Sequence, residues 1–149
     1  MNKLQLLFIG ILIFSACKQN TSRETSGVVL NNLSQSDTLC FERYSGLENR
    51  DTATVSLIVE GDLFRGKYEN YPFEKDARKG VISGTINEQI FSGMWIYVQE
   101  GITDSINVEF KMINDTLLQK QTSYSPESGY EFLADSAQFN LKYNQVNCR

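Results

Sequence analysis

Histidine is absent from all 149 residues, and the chain has only two prolines, three cysteines and one tryptophan. Without histidine there is no Ser-His-Asp or Cys-His catalysis and no histidine metal site. A glycine-rich phosphate loop is also missing: Gly80-Val81-Ile82-Ser83-Gly84 sits in strand-like sequence with no helix after it. Basic residues do not cluster beyond Lys75-Asp76-Ala77-Arg78-Lys79, and the formal net charge is −4. A nucleic-acid partner needs a basic face to neutralise phosphates, so that class is excluded. Long hydrophobic runs are lacking too. The longest, Leu4–Phe14, is interrupted by Gln5 and falls short of the ~20 residues that a membrane-spanning helix requires.

What is present begins at that run. Met1-Asn2-Lys3 is a short positive start, and the apolar stretch has the length of a secretory signal's central region, ~7–15 residues. Small residues follow, then a cysteine where the sequence turns polar: Phe14-Ser15-Ala16-Cys17-Lys18-Gln19-Asn20. Phe-Ser-Ala-Cys resembles the bacterial lipobox, with Phe14 where leucine is usual. The resemblance implies cleavage before Cys17, a lipid on Cys17 and a membrane anchor, and Lys18 in place of aspartate implies transfer to the outer membrane. The expected organisation is a signal peptide over 1–16, a lipidated cysteine and polar leash over 17–37, and one domain over 38–149. Loss of the signal removes Lys3 and no acid, so 13 basic and 18 acidic residues leave the mature chain near −5.

With Cys17 lipidated, Cys40 and Cys148 are an even remainder in an oxidising compartment. The alternatives are free thiols or a metal pair, and two cysteines without histidine make a poor metal set. A disulfide joining the two ends of the domain is expected.

The domain reads as strands separated by turn residues, without a long amphipathic helix. The expected strands are Thr38–Tyr44, Thr52–Glu60, Leu63–Tyr71, Gly80–Asn87, Ile90–Gln99, Ile102–Ile113, Thr116–Gln121 and Gln138–Val146, with one helical turn near Ala134–Ala137. Two-residue turns at Gly61-Asp62, Glu88-Gln89 and Glu100-Gly101 fix the registers. They pair Val59 with Phe64, Ile86 with Phe91, Ile82 with Trp95, Trp95 with Ile106, and Phe91 with Phe110. The run Ile106, Val108, Phe110, Met112 alternates with Asn107, Glu109, Lys111, so its buried face is set, and it carries Phe91, Trp95, Ile82 and Ile86 inward with it. Gly66, Gly84 and Gly93 share that inward face, as a tightly curved small barrel requires. The expected fold is all-β, an antiparallel up-and-down barrel of about eight strands, with an open sandwich as runner-up.

The same registers leave Met94, Ile96 and Val98 outward, opposite the polar Asn107 and Ser105. This apolar row is expected to be a contact surface for a protein partner or a second copy, or to be covered by Phe132-Leu133. Two loops are further candidates. Tyr71–Gly80 has Phe73 as its only large apolar anchor, and Thr122–Phe132 supplies Tyr124 and Tyr130. Paired carboxylates such as Glu74 with Asp76, or Glu100 with Asp104, are the remaining route to hydrolase chemistry; in loops such pairs are usually a solvated face.

A lipobox, a polar leash and a small disulfide-closed barrel together resemble small bacterial lipoproteins. The layout is similar to that of the membrane-bound lysozyme inhibitors, and Gly93-Met94-Trp95 resembles the Gly-x-Trp step of lipocalin and avidin-like barrels. These resemblances imply a non-catalytic binding module of the envelope with no cofactor and no metal. A carrier of small apolar ligands, with an internal cavity among Tyr68, Phe91, Trp95 and Phe110, and a carboxylate-based hydrolase are the alternatives.

Overall fold

Alternating polar and apolar residues, punctuated by Gly, Asn and Asp, form strands throughout. The computed structural model describes residues 38–149. Its strands are β1 (Thr38–Ser45), β2 (Asp51–Glu60), β3 (Leu63–Tyr71), β4 (Arg78–Asn87), β5 (Ile90–Gln99), β6 (Ile102–Ile113), β7 (Thr116–Lys120), β8 (Ser123–Tyr124), β9 (Glu131–Phe132) and β10 (Phe139–Val146). Eight of them close into an antiparallel barrel in the order β1-β10-β7-β6-β5-β4-β3-β2. Each barrel strand pairs with its neighbour in the chain, apart from one excursion between β7 and β10, where β8 and β9 form a small hairpin of their own. The up-and-down barrel is therefore the fold, and the sandwich alternative falls away.

The hairpin registers are those that the turns dictate. Val59 faces Phe64, Ile82 faces Trp95, Ile86 faces Phe91, Trp95 faces Ile106, and Phe91 faces Phe110. Phe41, Val55, Leu57, Phe64, Ile82, Phe91, Val108, Phe110 and Leu117 are all buried inside the barrel. Differences from expectation are at element ends. β4 begins two residues early, at Arg78, and β7 stops at Lys120. The turn-rich Thr122–Phe132 segment contains the β8–β9 hairpin, and the Ala134–Ala137 stretch is one turn closed by the Ala137 amide on the Ala134 carbonyl at 3.0 Å.

Glycines allow the wall to curve. Gly84 and Gly93 face each other across β4 and β5, and the rim of the Phe64 ring stands where a Cβ on Gly93 would lie, 2.9 Å away. Phe64 is the aromatic that covers Gly93, and it meets Phe91 edge-on at 5.4 Å.

The two ends of the barrel differ. At one end β1 enters, β10 leaves, and three connections are two-residue turns, Gly61-Asp62, Glu88-Gln89 and Asn114-Asp115. Cys40 and Cys148 are bridged there, with Cα atoms 5.2 Å apart. The opposite end holds the long connections Gly46–Arg50, Pro72–Ala77 and Gln121–Gln138 together with the tight Glu100-Gly101 turn. We call these the closed end and the loop end. Along the outer wall Arg65, Lys67, Ser105, Asn107, Lys142 and Asn144 are exposed. A lipid-facing barrel needs a continuous apolar outer band, and these polar and charged residues interrupt the outer wall.

Candidate functional site at the loop end

Strand parity sends a set of polar side chains into the barrel at the loop end. Residues opposite each other across a ladder share a face. Arg43 therefore follows Leu39 and Phe41 inward on β1, Asn70 follows Tyr68 on β3, Arg78 follows Ile82 on β4, and Gln119 follows Leu117 on β7. With Tyr68, Trp95, Ile106, Val108, Gln121, Thr122, Glu131 and Leu141 these residues line a cavity of about 240 Å3 in the barrel mouth.

The floor of the cavity is a hydrogen-bonded triangle. Tyr143 donates its hydroxyl to Gln119 Oε1 at 2.6 Å, Tyr68 donates to the same oxygen at 3.2 Å, and the two hydroxyls are 3.2 Å apart. Two hydroxyl protons serve three edges, so one edge at any moment lacks a proton. Burial raises the pKa of Tyr143 well above the ordinary tyrosine value, and the nearby Tyr68 adds to the rise. Burial raises Tyr68 as well, opposed by its bonds to Tyr143 and Gln119 and by the charges of Arg43 and Arg78. Both phenols stay neutral at physiological pH and act as hydrogen-bonding groups, not as bases. Gln119 is 4% exposed, and its Oε1 is occupied. Its amide nitrogen bonds no group among the described residues, while no buried polar atom there lacks a partner, so that nitrogen is reached from the cavity.

The walls are aromatic. Trp95 lies 4.1 Å from Tyr68 and 4.4 Å from Tyr97, ring centroid to centroid, and its indole N–H donates to the Tyr68 carbonyl at 3.0 Å. At the rim Arg78 donates to Gln99 Oε1 at 2.8 Å and pairs with Glu131 of β9 at 2.9 Å. Burial alone would lower the Arg78 pKa, but the bond to Glu131 and its charge outweigh that and hold it raised. The Arg78–Glu131 pair divides the mouth cavity from an outer groove of about 260 Å3, lined by both residues with Tyr97, Ile102, Tyr124 and Tyr130. Arg43 pairs with no carboxylate among the described residues; its guanidinium lies 5.9 Å from the Tyr143 ring centroid.

The sequence-derived candidates are scattered across the molecule. Tyr68 and Trp95 are in the site. Phe91 and Phe110, with which they were to enclose an apolar cavity, are fully buried against the core, so the rings occupy that space. Phe73 anchors its loop within the chain: the Arg50 guanidinium stacks over its ring at 3.1 Å, and its amide donates to Asp51 at 2.7 Å. Glu74 and Asp76 are exposed, and Asp104 accepts from the Ser105 amide and from Tyr97. Cys17 lies outside the described residues. Arg43, Arg78, Gln119, Glu131 and Tyr143 were not among the candidates. Parity carried the signal for three of them, since a charged or amide residue in step with a strand's inward face is a polar group directed into a barrel.

Met94, Ile96 and Val98 point outward, about 45% exposed each, opposite Asn107, Ser105 and Thr103. Val81, opposite Ile96, extends the row. Leu133 lies beside Met94 across a shallow groove and leaves the row open. Ile96→Asp should therefore change stability by less than about 0.5 kcal/mol in thermal unfolding. The same substitution should abolish any self-association detected by sedimentation; a loss above 2 kcal/mol would show that the row is packed against the chain's own segment.

No protein-family model, curated protein or solved structure matches this chain.

Proposed function

We propose that this protein is a non-catalytic binding module of the cell envelope, anchored to the outer membrane by a lipid on Cys17, with the loop end as its contact surface. One observation carries the proposal: exposed apolar and aromatic residues gather at the end away from the chain's entry. Tyr44, Leu47, Ile102, Tyr124, Tyr130 and Phe132 are exposed at or beside the loop end, against Leu63 and Ile113 at the closed end. Aromatic residues are favoured in binding surfaces because they offer large contact area at little entropic cost. β1 begins at the closed end, so a leash over 17–37 would join the domain opposite the proposed contact surface.

The two halves of the proposal have separate tests. Cys17→Ser should move the protein from the membrane to the soluble fraction with the domain intact. Retention in the membrane at the mass of the uncleaved chain would mean that Leu4–Phe14 is an uncleaved anchor. A photo-crosslinking residue in place of Tyr130 should give covalent adducts in cells, and one in place of Asp62, at the closed end, should not. Equal labelling at both positions would remove the loop end's claim to be the contact surface.

A further inference from the structure

The mouth cavity has its own chemistry, which deepens the reading of the loop end as the binding end. Its charged lining consists of two guanidinium groups, Arg43 and Arg78, against one carboxylate, Glu131. Among the described residues Arg43 has no carboxylate partner, and that of Arg78, Glu131, is carried on the small β8–β9 hairpin. A donor waits at the floor as well, the amide nitrogen of Gln119, held in place by two buried tyrosines on its oxygen. An arginine that meets the Tyr143 hydroxyl but no carboxylate among the described residues, in a half-enclosed site beside a fixed neutral donor, is an arrangement that recognises a carboxylate or phosphate oxygen. The opposite wall, Trp95, Ile106, Val108 and Leu141, is apolar. At about 240 Å3 the space falls below the ~300–1,000 Å3 typical of drug-sized ligands.

We propose that the barrel mouth binds a small organic anion, its anionic group on Arg43 and the Gln119 amide and its apolar body against Trp95, Ile106 and Leu141. Glu131 is the internal competitor. It occupies Arg78 at the rim, and its negative charge in the lining opposes an anion seated on Arg43. Thr122, whose hydroxyl donates to Glu131 at 3.4 Å, is the second tie that holds the hairpin to the rim.

Trp95, the only tryptophan, reports on the cavity directly. The full-length protein in detergent is titrated with benzoate, with its neutral isostere benzamide and with inorganic phosphate, and Trp95 emission is followed. Benzoate should saturate, with benzamide at least tenfold weaker and phosphate intermediate. Arg43→Gln should weaken benzoate at least tenfold, whereas Lys142→Gln, which removes an equal charge from the outer wall, should leave it unchanged. Glu131→Gln, on the exposed hairpin and away from the barrel wall, should tighten benzoate severalfold by freeing Arg78. Equal affinity for benzoate and benzamide, no saturation by either anion, or indifference to Arg43→Gln would overturn the site. Phosphate binding more tightly than benzoate would overturn its apolar half, and weaker benzoate binding by Glu131→Gln would overturn the competition. None of these outcomes depends on the lipid or on a protein partner, so the site and the anchored-module reading stand or fall separately.

Discussion

Replacing Cys40 and Cys148 together by serine should cost about 4 kcal/mol of folding stability, measured as a shift of the urea midpoint at unchanged slope. The bridge spans 108 positions, and in the chain-entropy model closing a loop of that length restricts the unfolded chain by ~4–5 kcal/mol. Its position adds to the effect. The β1–β10 seam has three paired positions, Cys40 with Val146, Phe41 with Gln145 and Glu42 with Asn144, and it is the shortest of the eight seams. The disulfide lies at the end of that seam, where the ladder is least able to hold itself. A loss under 1 kcal/mol would mean that the three pairs and the buried Phe41 close the barrel without covalent help.

Gly93→Ala should cost about 3 kcal/mol, at the upper end of ordinary overpacking. The added methyl would meet the Ser83 carbonyl oxygen and the Phe64 ring, the latter at 2.9 Å. Neither can retreat cheaply. The carbonyl belongs to the β4–β5 ladder, and Phe64 is 3% exposed and wedged against Phe91. Gly61→Ala is the control, because nothing lies within 4 Å of its Cβ position and only its φ of 62° resists a side chain. A left-handed residue costs roughly 1–2 kcal/mol, so Gly61→Ala should cost less than Gly93→Ala in parallel denaturation curves. The reverse order would mean that β4 and β5 separate easily at the glycine pair.

Much of this barrel is legible in the sequence because its hairpin turns are short. Once Gly61-Asp62, Glu88-Gln89 and Glu100-Gly101 are each given two residues, the inward positions of β2 with β3, and of β4 with β5 and β6, follow by counting in twos, and the outward row Met94, Ile96, Val98 follows with them. Counting fails where a connection is long. The Gln121–Gln138 excursion has no fixed register, so neither the β8–β9 hairpin nor the approach of Glu131 to Arg78 could be read from spacing. The site was obscured for a second reason. Arg43, Gln119 and Tyr143 come from β1, β7 and β10, and they become neighbours only through closure, a long-range event with no local signature. Within Leu39-Cys40-Phe41-Glu42-Arg43, two charges in a short strand look like ordinary solvent-facing residues until parity separates them. Glu42 faces out and Arg43 faces in.

The insertion of β10 between β7 and β1 makes the wall continuous, and it also sets when the wall can exist. A chain ending between β7 and β10 has seven barrel strands and two unpaired edges, β1 and β7, each with free backbone donors and acceptors. The pairing that removes both edges joins segments about a hundred residues apart, which is the slow, high-contact-order kind of contact. Folding should therefore end, not begin, at this seam. The most adhesive species on the pathway is then the nearly complete one, a curled sheet awaiting its eighth strand.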